Sequence, residues 1–201
     1  MQRLPRKVVM ASANAGKLRE IERILGELKI AVVPQSDFGV DAVEETGSTF
    51  AENALIKARH AAQISGLAAI ADDSGLAVEV LGGRPGVYSA RYSGPNATDA
   101  SNIDRLLSEL EGVPDDQRAA AFHCVACFVS SADAEPVVAE GEWRGRILRE
   151  RRGDGGFGYD PIFFDMELKR SSAEMSADEK NARSHRGNAL RALARQLREL
   201  E

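Results

Sequence analysis

Leu67-Ala68-Ala69-Ile70-Ala71-Asp72-Asp73-Ser74-Gly75 is the stretch on which the reading of this chain turns. Its apolar half is bounded by Gly66 and too short for a helix, so it reads as a buried strand of an open α/β sheet. Ligands of such sheets gather outside the carboxyl ends of the strands, which is where Asp72-Asp73-Ser74-Gly75 is expected to lie. Successive strand side chains leave opposite faces, so only one of the two aspartates should face a cleft directly. Adjacent carboxylates repel and lose hydration unless cations or donors compensate them. The bland alternative is a solvated Asp-rich turn in which Gly75 takes an unusual φ.

Working upstream, Thr49-Phe50-Ala51-Glu52 is a capping box that opens a helix through Ile64, ended by Gly66. Asn53 and Lys57, four apart, share one face of it, and a solvated polar face is the default account of them. Residues 40–47 are acidic and loop-like, with Glu44-Glu45-Thr46-Gly47 at their end. Ala31-Val32-Val33 is a short strand candidate. At the start, Val8-Val9-Met10-Ala11 reads as a first strand and Ser12-Ala13-Asn14-Ala15-Gly16-Lys17 as a tight loop. Leu18, Ile21, Ile24, Leu25 and Leu28 then recur at helical spacing. Strand, loop and helix start together suit phosphate, because free backbone N–H groups and the positive helix end point at the anion. Lys17 adds a point charge. It is not a Walker loop, since Ala11 replaces the first Gly and Leu18 the Ser/Thr. An ordinary βα turn is the competing account.

Downstream, residues 76–81 are a strand candidate and Gly82-Gly83-Arg84-Pro85-Gly86 a turn. Residues 88–96 form a polar loop, and Thr98 or Asp99 caps a helix carrying Ile103, Leu106, Leu107 and Leu110. Residues 119–131 and 137–148 read as a pair of long strands. A basic, Gly-rich segment then enters Phe157-Gly158-Tyr159-Asp160-Pro161. Phe163 and Phe164 read as core, whereas Phe157 could stack on a planar base, a contact worth ~1–3 kcal/mol. Ser176-Ala177-Asp178-Glu179 is a further capping box. Ser184-His185-Arg186-Gly187 leads into a last helix with Leu190, Leu193, Leu197 and Leu200 buried.

The 201 residues suffice for one substantial domain or two lobes sharing a sheet, and 43% hydrophobic content predicts a packed core. A net charge of −5 gives no reason to expect polymeric nucleic acid. Cys124 and Cys127, at i and i+3 on a strand, should leave opposite faces as buried thiols in a reducing compartment. The basic start, from Arg3 to Lys7, leads into an apolar run too short for a signal-peptide core, and no stretch is long enough for a membrane span. The expectation is a cytoplasmic protein.

Six motifs occur in one order: residues 12–17, Glu44-Glu45-Thr46-Gly47, Ala71-Asp72-Asp73-Ser74-Gly75, Ser89-Ala90-Arg91-Tyr92-Ser93-Gly94, Phe157-Gly158-Tyr159-Asp160-Pro161 and Ser184-His185-Arg186. Together they resemble the inosine/xanthosine triphosphate pyrophosphatase family, which clears aberrant purine nucleotides, over nearly the whole chain. The resemblance implies an α/β fold with a long mixed central sheet flanked by helices and two lobes around a nucleotide-binding cleft. It implies one domain over residues 1–201 in a homodimer. The implied reaction is hydrolysis of ITP, dITP or XTP to the monophosphate and pyrophosphate with Mg²⁺. Asp73 would be the proton acceptor for water, and Glu44 and Asp73 the metal ligands, with Glu45 and Asp72 as neighbours. Substrate would be bound by Ser12, Ala13, Asn14, Ala15, Gly16, Lys17, Lys57 and Ser74, by Phe157, Gly158, Tyr159 and Asp160, and by Lys180, His185 and Arg186. Of these, Asn14, Lys17, Lys57 and Lys180 hold phosphates, while Phe157 to Asp160 and His185-Arg186 enclose the base. His60 and His123 match no motif and read as structural. The family's first loop usually has Thr-Gly-Asn where this chain has Ser12-Ala13-Asn14: Ser keeps the hydroxyl, and Ala13 lacks glycine's freedom to take φ > 0. A nucleotidase releasing orthophosphate and a nucleotide-binding regulatory module are the rival readings.

Overall fold

The computed structural model describes residues 5–26 and 29–199, so Arg3, Leu28 and Leu200 lie outside the described residues. Its strands are β1 (Lys7–Met10), β2 (Ala31–Pro34), β3 (Ala69–Val78), β4 (Ala119–Val129), β5 (Val137–Ile147), β6 (Phe163–Asp165) and β7 (Arg170–Ser171). Its helices are α1 (Ala15–Gly26), α2 (Phe50–Ser65), α3 (Asp99–Glu109), α4 (Ala177–Arg183) and α5 (His185–Glu199). The strands form one mixed sheet in the order β2-β1-β3-β4-β5-β6-β7. Two compact units divide the chain: the described parts of Met1–Asp73, Cys124–Gly141 and His185–Glu201, and the pair Ser74–His123 and Glu142–Ser184.

In the first unit, β1 pairs in parallel with both β2 and β3, with Val9 opposite Val33 on one side and Ala69 on the other. β1 after Lys7 and the start of β3, inside the sheet, are buried on both faces and apolar without alternation, as a parallel sheet requires. β2, at the edge, is only partly buried. Alternation instead sorts side chains between two cores. Val8, Met10, Ile70, Cys124, Ala126 and Phe128 pack with Ile21 and Leu25 of α1 and Leu190, Leu193 and Leu197 of α5. Val9, Ala69, Ala71, Val125, Cys127 and Val129 pack with Ala54, Ala58, Ala61 and Ala62 of α2. The two thiols thus enter different cores, as their spacing predicts. The capping box at Thr49 forms, with Thr49 Oγ1 accepting the Glu52 N–H, and α2 ends on Gly66 in the left-handed conformation.

The acid pair is where the structure departs from expectation. β3 runs through to Val78, so Asp72 and Asp73 lie inside the strand rather than at its end, and the strand read over residues 76–81 is its continuation. A short 3-10 turn, Glu79–Leu81, follows. A polar interruption normally ends a strand because unpaired buried carboxylates are costly. Here each carboxylate has its own cation, so the pairing continues past them.

The second unit packs Leu76, Val78, Ile103, Leu106, Leu110, Ile147 and Ile162 around an aromatic cluster. Phe163 lies 4.6 Å from Phe122 and 4.9 Å from Trp143, ring centre to ring centre. Thr98 caps α3. Buried Arg118 donates to three carbonyls, Ile147 O at 2.9 Å, Leu110 O at 2.8 Å and Leu148 O at 2.8 Å, tying the end of α3 to the end of β5.

Candidate functional site

The turn after β1 is built by its own polar side chains. Ser12 Oγ accepts the Asn14 N–H at 3.1 Å, and Asn14 Oδ1 accepts the N–H groups of Gly16 at 2.8 Å and Lys17 at 3.1 Å. Asn14 therefore caps α1, and two of the backbone donors expected to face an anion are already engaged. Among the described residues the non-glycine positions with positive φ are Lys29 and Lys169, so Ala13 needs no glycine-like freedom. Lys17 is not the exposed lysine that a simple turn would carry. It is largely buried, with Nζ 3.0 Å from Asp72 Oδ2.

The two aspartates diverge as strand geometry demands. Asp72 is fully buried between Lys17 and Arg186, whose Nε lies 3.0 Å away, and Arg186 Nη1 reaches Glu20 at 2.6 Å. Burial alone would raise the Asp72 pKa, but the charges of Lys17 and Arg186 hold it well below the usual carboxylate range. Asp73 faces α2, where Lys57 Nζ donates to Oδ1 at 2.9 Å and Asn53 Nδ2 to Oδ2 at 3.4 Å. Burial pushes the Asp73 carboxyl up by more than Lys57 pulls it down, and Glu45 adds to the rise. One aspartate is a fixed anion and its neighbour a carboxylate of increased basicity, a division that suits proton transfer.

Lys57 also donates to Glu45 Oε1 at 2.6 Å, whereas Glu44 points into solvent as an exposed residue. The acidic loop thus brings Glu45, rather than Glu44, beside the Asp73 cation. Among the described residues no group of three or more His, Cys, Asp or Glu side chains is placed to hold a metal. Mg²⁺ does not require one, because it binds through one or two carboxylates and fills its remaining positions with water and substrate phosphate. An all-oxygen set of Asp73 with the acidic loop fits that demand. His185 and Arg186 are both buried at the start of α5, so His185 is no solvent-facing helix end.

In the second unit, Asp160 is a buried hub. Its Oδ2 accepts the Phe157 N–H at 2.9 Å and lies 2.6 Å from Lys180 Nζ, while Oδ1 accepts from Ser172 Oγ at 2.8 Å. Lys180 Nζ also sits 4.5 Å from the centre of the Phe157 ring. Gly156 has φ +75°, and a Cβ there would collide with the Asp160 carboxylate, so glycine is required for the loop to close on its hub. The Gly158 N–H donates to Asp99 at 2.7 Å and Tyr159 OH to Ser89 O at 2.8 Å. Half-buried Ser74 lies on β3. Lys180 is thus assembled with Phe157 and Asp160.

Residues 8–196 match the Ham1 family. This chain belongs to the Ham1 family. A dITP/XTP pyrophosphatase of Pectobacterium atrosepticum is 55% identical over 193 residues, covering 96% of this chain and 98% of that one. The dITP/XTP pyrophosphatase of Escherichia coli K12 is likewise 55% identical with the same coverage. Among solved structures, a HAM1 protein from Coxiella burnetii superposes with a TM-score of 0.89 at 50% identity, covering 96% of this chain and 98% of that chain. The Staphylococcus aureus Ham1 protein gives 0.86 at 40% identity, covering 97% and 100%.

Three further residues of this Ham1 chain, Asn53, Glu20 and Ser172, hold the expected ones in place. Asn53, expected with Lys57 on a solvated polar face, is instead fully buried, and Lys57 is largely so. Asn53 and Glu20 carried a signal: Asn53 lies one turn before Lys57 and Glu20 one turn after Lys17, on the faces that carry those lysines. Ser172 carried none, because its partner Asp160 is brought to it only by the fold.

Proposed function

We propose that this protein is a Mg²⁺-dependent hydrolase that cleaves ITP, dITP and XTP to the monophosphate and pyrophosphate. The observation that carries this reading is Asp73, a carboxylate of raised basicity held by Lys57 and Asn53, in a chain whose full-length relatives are named dITP/XTP pyrophosphatases.

A triphosphate carries about four negative charges, so the site must supply cations and a directed water. Lys17 and Lys57 supply fixed positive charge, with Asn14 orienting the loop between β1 and α1. Mg²⁺, held by Asp73 and the Glu44-Glu45 loop, would neutralise phosphate charge when bound. Asp73 takes a proton from water as the water oxygen bonds to the α-phosphorus. The bond from that phosphorus to the bridging oxygen breaks, and the electron pair leaves with pyrophosphate. In the second unit, the Phe157 ring and Lys180 offer a face and a charge for a purine base. His185 and Arg186 can donate hydrogen bonds, and Arg186 has only donors. A 6-oxo purine presents an acceptor where adenine presents an amino donor. Each buried polar group left unpaired costs about 1–3 kcal/mol, so two reversed positions give roughly 10²–10⁴-fold discrimination against ATP. The homodimer and the cytoplasmic setting belong to the same reading and rest on family resemblance alone.

The test is kcat/KM on ITP, XTP, GTP and ATP with separate detection of pyrophosphate and orthophosphate. Expected are pyrophosphate as product, preference for ITP and XTP over ATP, and loss of turnover in excess EDTA. Orthophosphate as the product, or ATP cleaved as fast as ITP, contradicts the reading.

A further inference from the structure

Asn53 is fully buried in the second turn of α2, in a helix whose other buried residues are alanines. A buried amide is costly unless both ends are bonded. Here they are: Oδ1 accepts the Gly47 N–H at 2.8 Å and Nδ2 donates to Asp73 Oδ2 at 3.4 Å. The partners fix the amide orientation, because a backbone N–H needs the oxygen and a carboxylate needs the nitrogen. Lys57 repeats the pattern one turn later, bonding Asp73 Oδ1 at 2.9 Å and Glu45 Oε1 at 2.6 Å. Each Asp73 oxygen is therefore held from α2, and each holder also grips the acidic loop.

The loop approaches α2 as closely as a chain can. A Cβ on Gly47 would stand 2.6 Å from Glu52 Cβ and 2.7 Å from Asn53 Oδ1. Any side chain there must push the loop away from the amide. Lys57 supplies charge to this assembly, while a neutral amide supplies only direction and distance.

We infer that Asn53 is a positioning residue which, through Gly47, locks the acidic loop to the Asp73 carboxylate so that both present oxygens to one divalent cation. The inference rests on the proposed function. Asn53 itself touches neither substrate nor metal.

Two variants break the same link from opposite ends, Asn53→Ala from the helix and Gly47→Ala from the loop. The first readout is Mn²⁺ binding to nucleotide-free protein by electron paramagnetic resonance. Residues that orient metal ligands typically change affinity or activity 10–100-fold, so Kd should rise by about that factor in both variants. The second is turnover of ITP: kcat falls about 10-fold or more at fixed metal, while KM for ITP at saturating metal stays within about twofold. Inorganic tripolyphosphate binding in EDTA should not change. A purely structural role would lower the folded fraction and leave the Mn²⁺ affinity of the folded protein intact. Wild-type Mn²⁺ affinity in folded Asn53→Ala and Gly47→Ala overturns the inference, and if Asn53→Ala does not fold, Gly47→Ala decides alone. A wild-type protein that releases pyrophosphate without divalent metal, or releases none, overturns the proposed function first.

Discussion

Asp72 keeps its charge in full burial because Lys17 Nζ and Arg186 Nε each stand 3.0 Å from Oδ2. Removing one member of a buried charge set strands the others, typically at about 3–5 kcal/mol. Asp72→Asn is expected to lose that much at pH 7 in urea unfolding. The pH dependence follows from a folded pKa held below the ordinary 3.8. An acid of depressed pKa contributes stability that is complete above its unfolded value and lost as pH falls toward the folded one. The gap between wild type and Asp72→Asn should therefore hold from pH 7 to about pH 4 and narrow below it. A gap that stays constant down to pH 2 contradicts the assignment. The divergence of the two aspartates was legible in sequence, because strand alternation alone demands it. That Arg186 closes on Asp72 was not, since the partners are 114 residues apart. Glu44 and Glu45, adjacent and alike, could not be told apart without knowing which one reaches Lys57.

Helix ends were legible for local reasons. The capping boxes at Thr49 and Ser176 form as written, because each closes within four residues. The length of β3 was not, because its continuation past the acid pair depends on cations from α1, α2 and α5. Arg118 was equally hidden, because the three carbonyls it meets come together only in the fold. It gives α3 and β5 a shared end, and its loss leaves three buried carbonyls without their charged donor. At about 1–3 kcal/mol for each unsatisfied group, Arg118→Met should cost about 3 kcal/mol or more in urea unfolding. A loss below about 1 kcal/mol shows that water or neighbouring donors replace the guanidinium.

At the scale of the molecule, a chain of net charge −5 is read as binding a polyanion. Lys17, Lys57 and Arg186 are gathered in the first unit, but Asp72, Asp73, Glu45 and Glu20 pair with them there. On the proposed reading, a bound divalent cation therefore supplies the charge that offsets the phosphates. Six short motifs sufficed to indicate the family because their order along the chain is far more specific than any one of them, and the Ham1 match covers residues 8–196. The inward partners Glu20 and Ser172 escaped, and Asn53 was read as solvated, since all three act on other side chains rather than announce a chemistry.

In the proposed reaction Asp73 directs water at the α-phosphorus. Turnover of ITP in ¹⁸O-labelled water, with mass analysis of both products, tests it most directly. Attack at the α-phosphorus puts one label in the monophosphate and none in pyrophosphate. Asp73→Asn should slow the labelled reaction by ~10²–10⁴-fold and leave the fold intact. Label in pyrophosphate, or an Asp73→Asn enzyme as fast as wild type, would contradict the account.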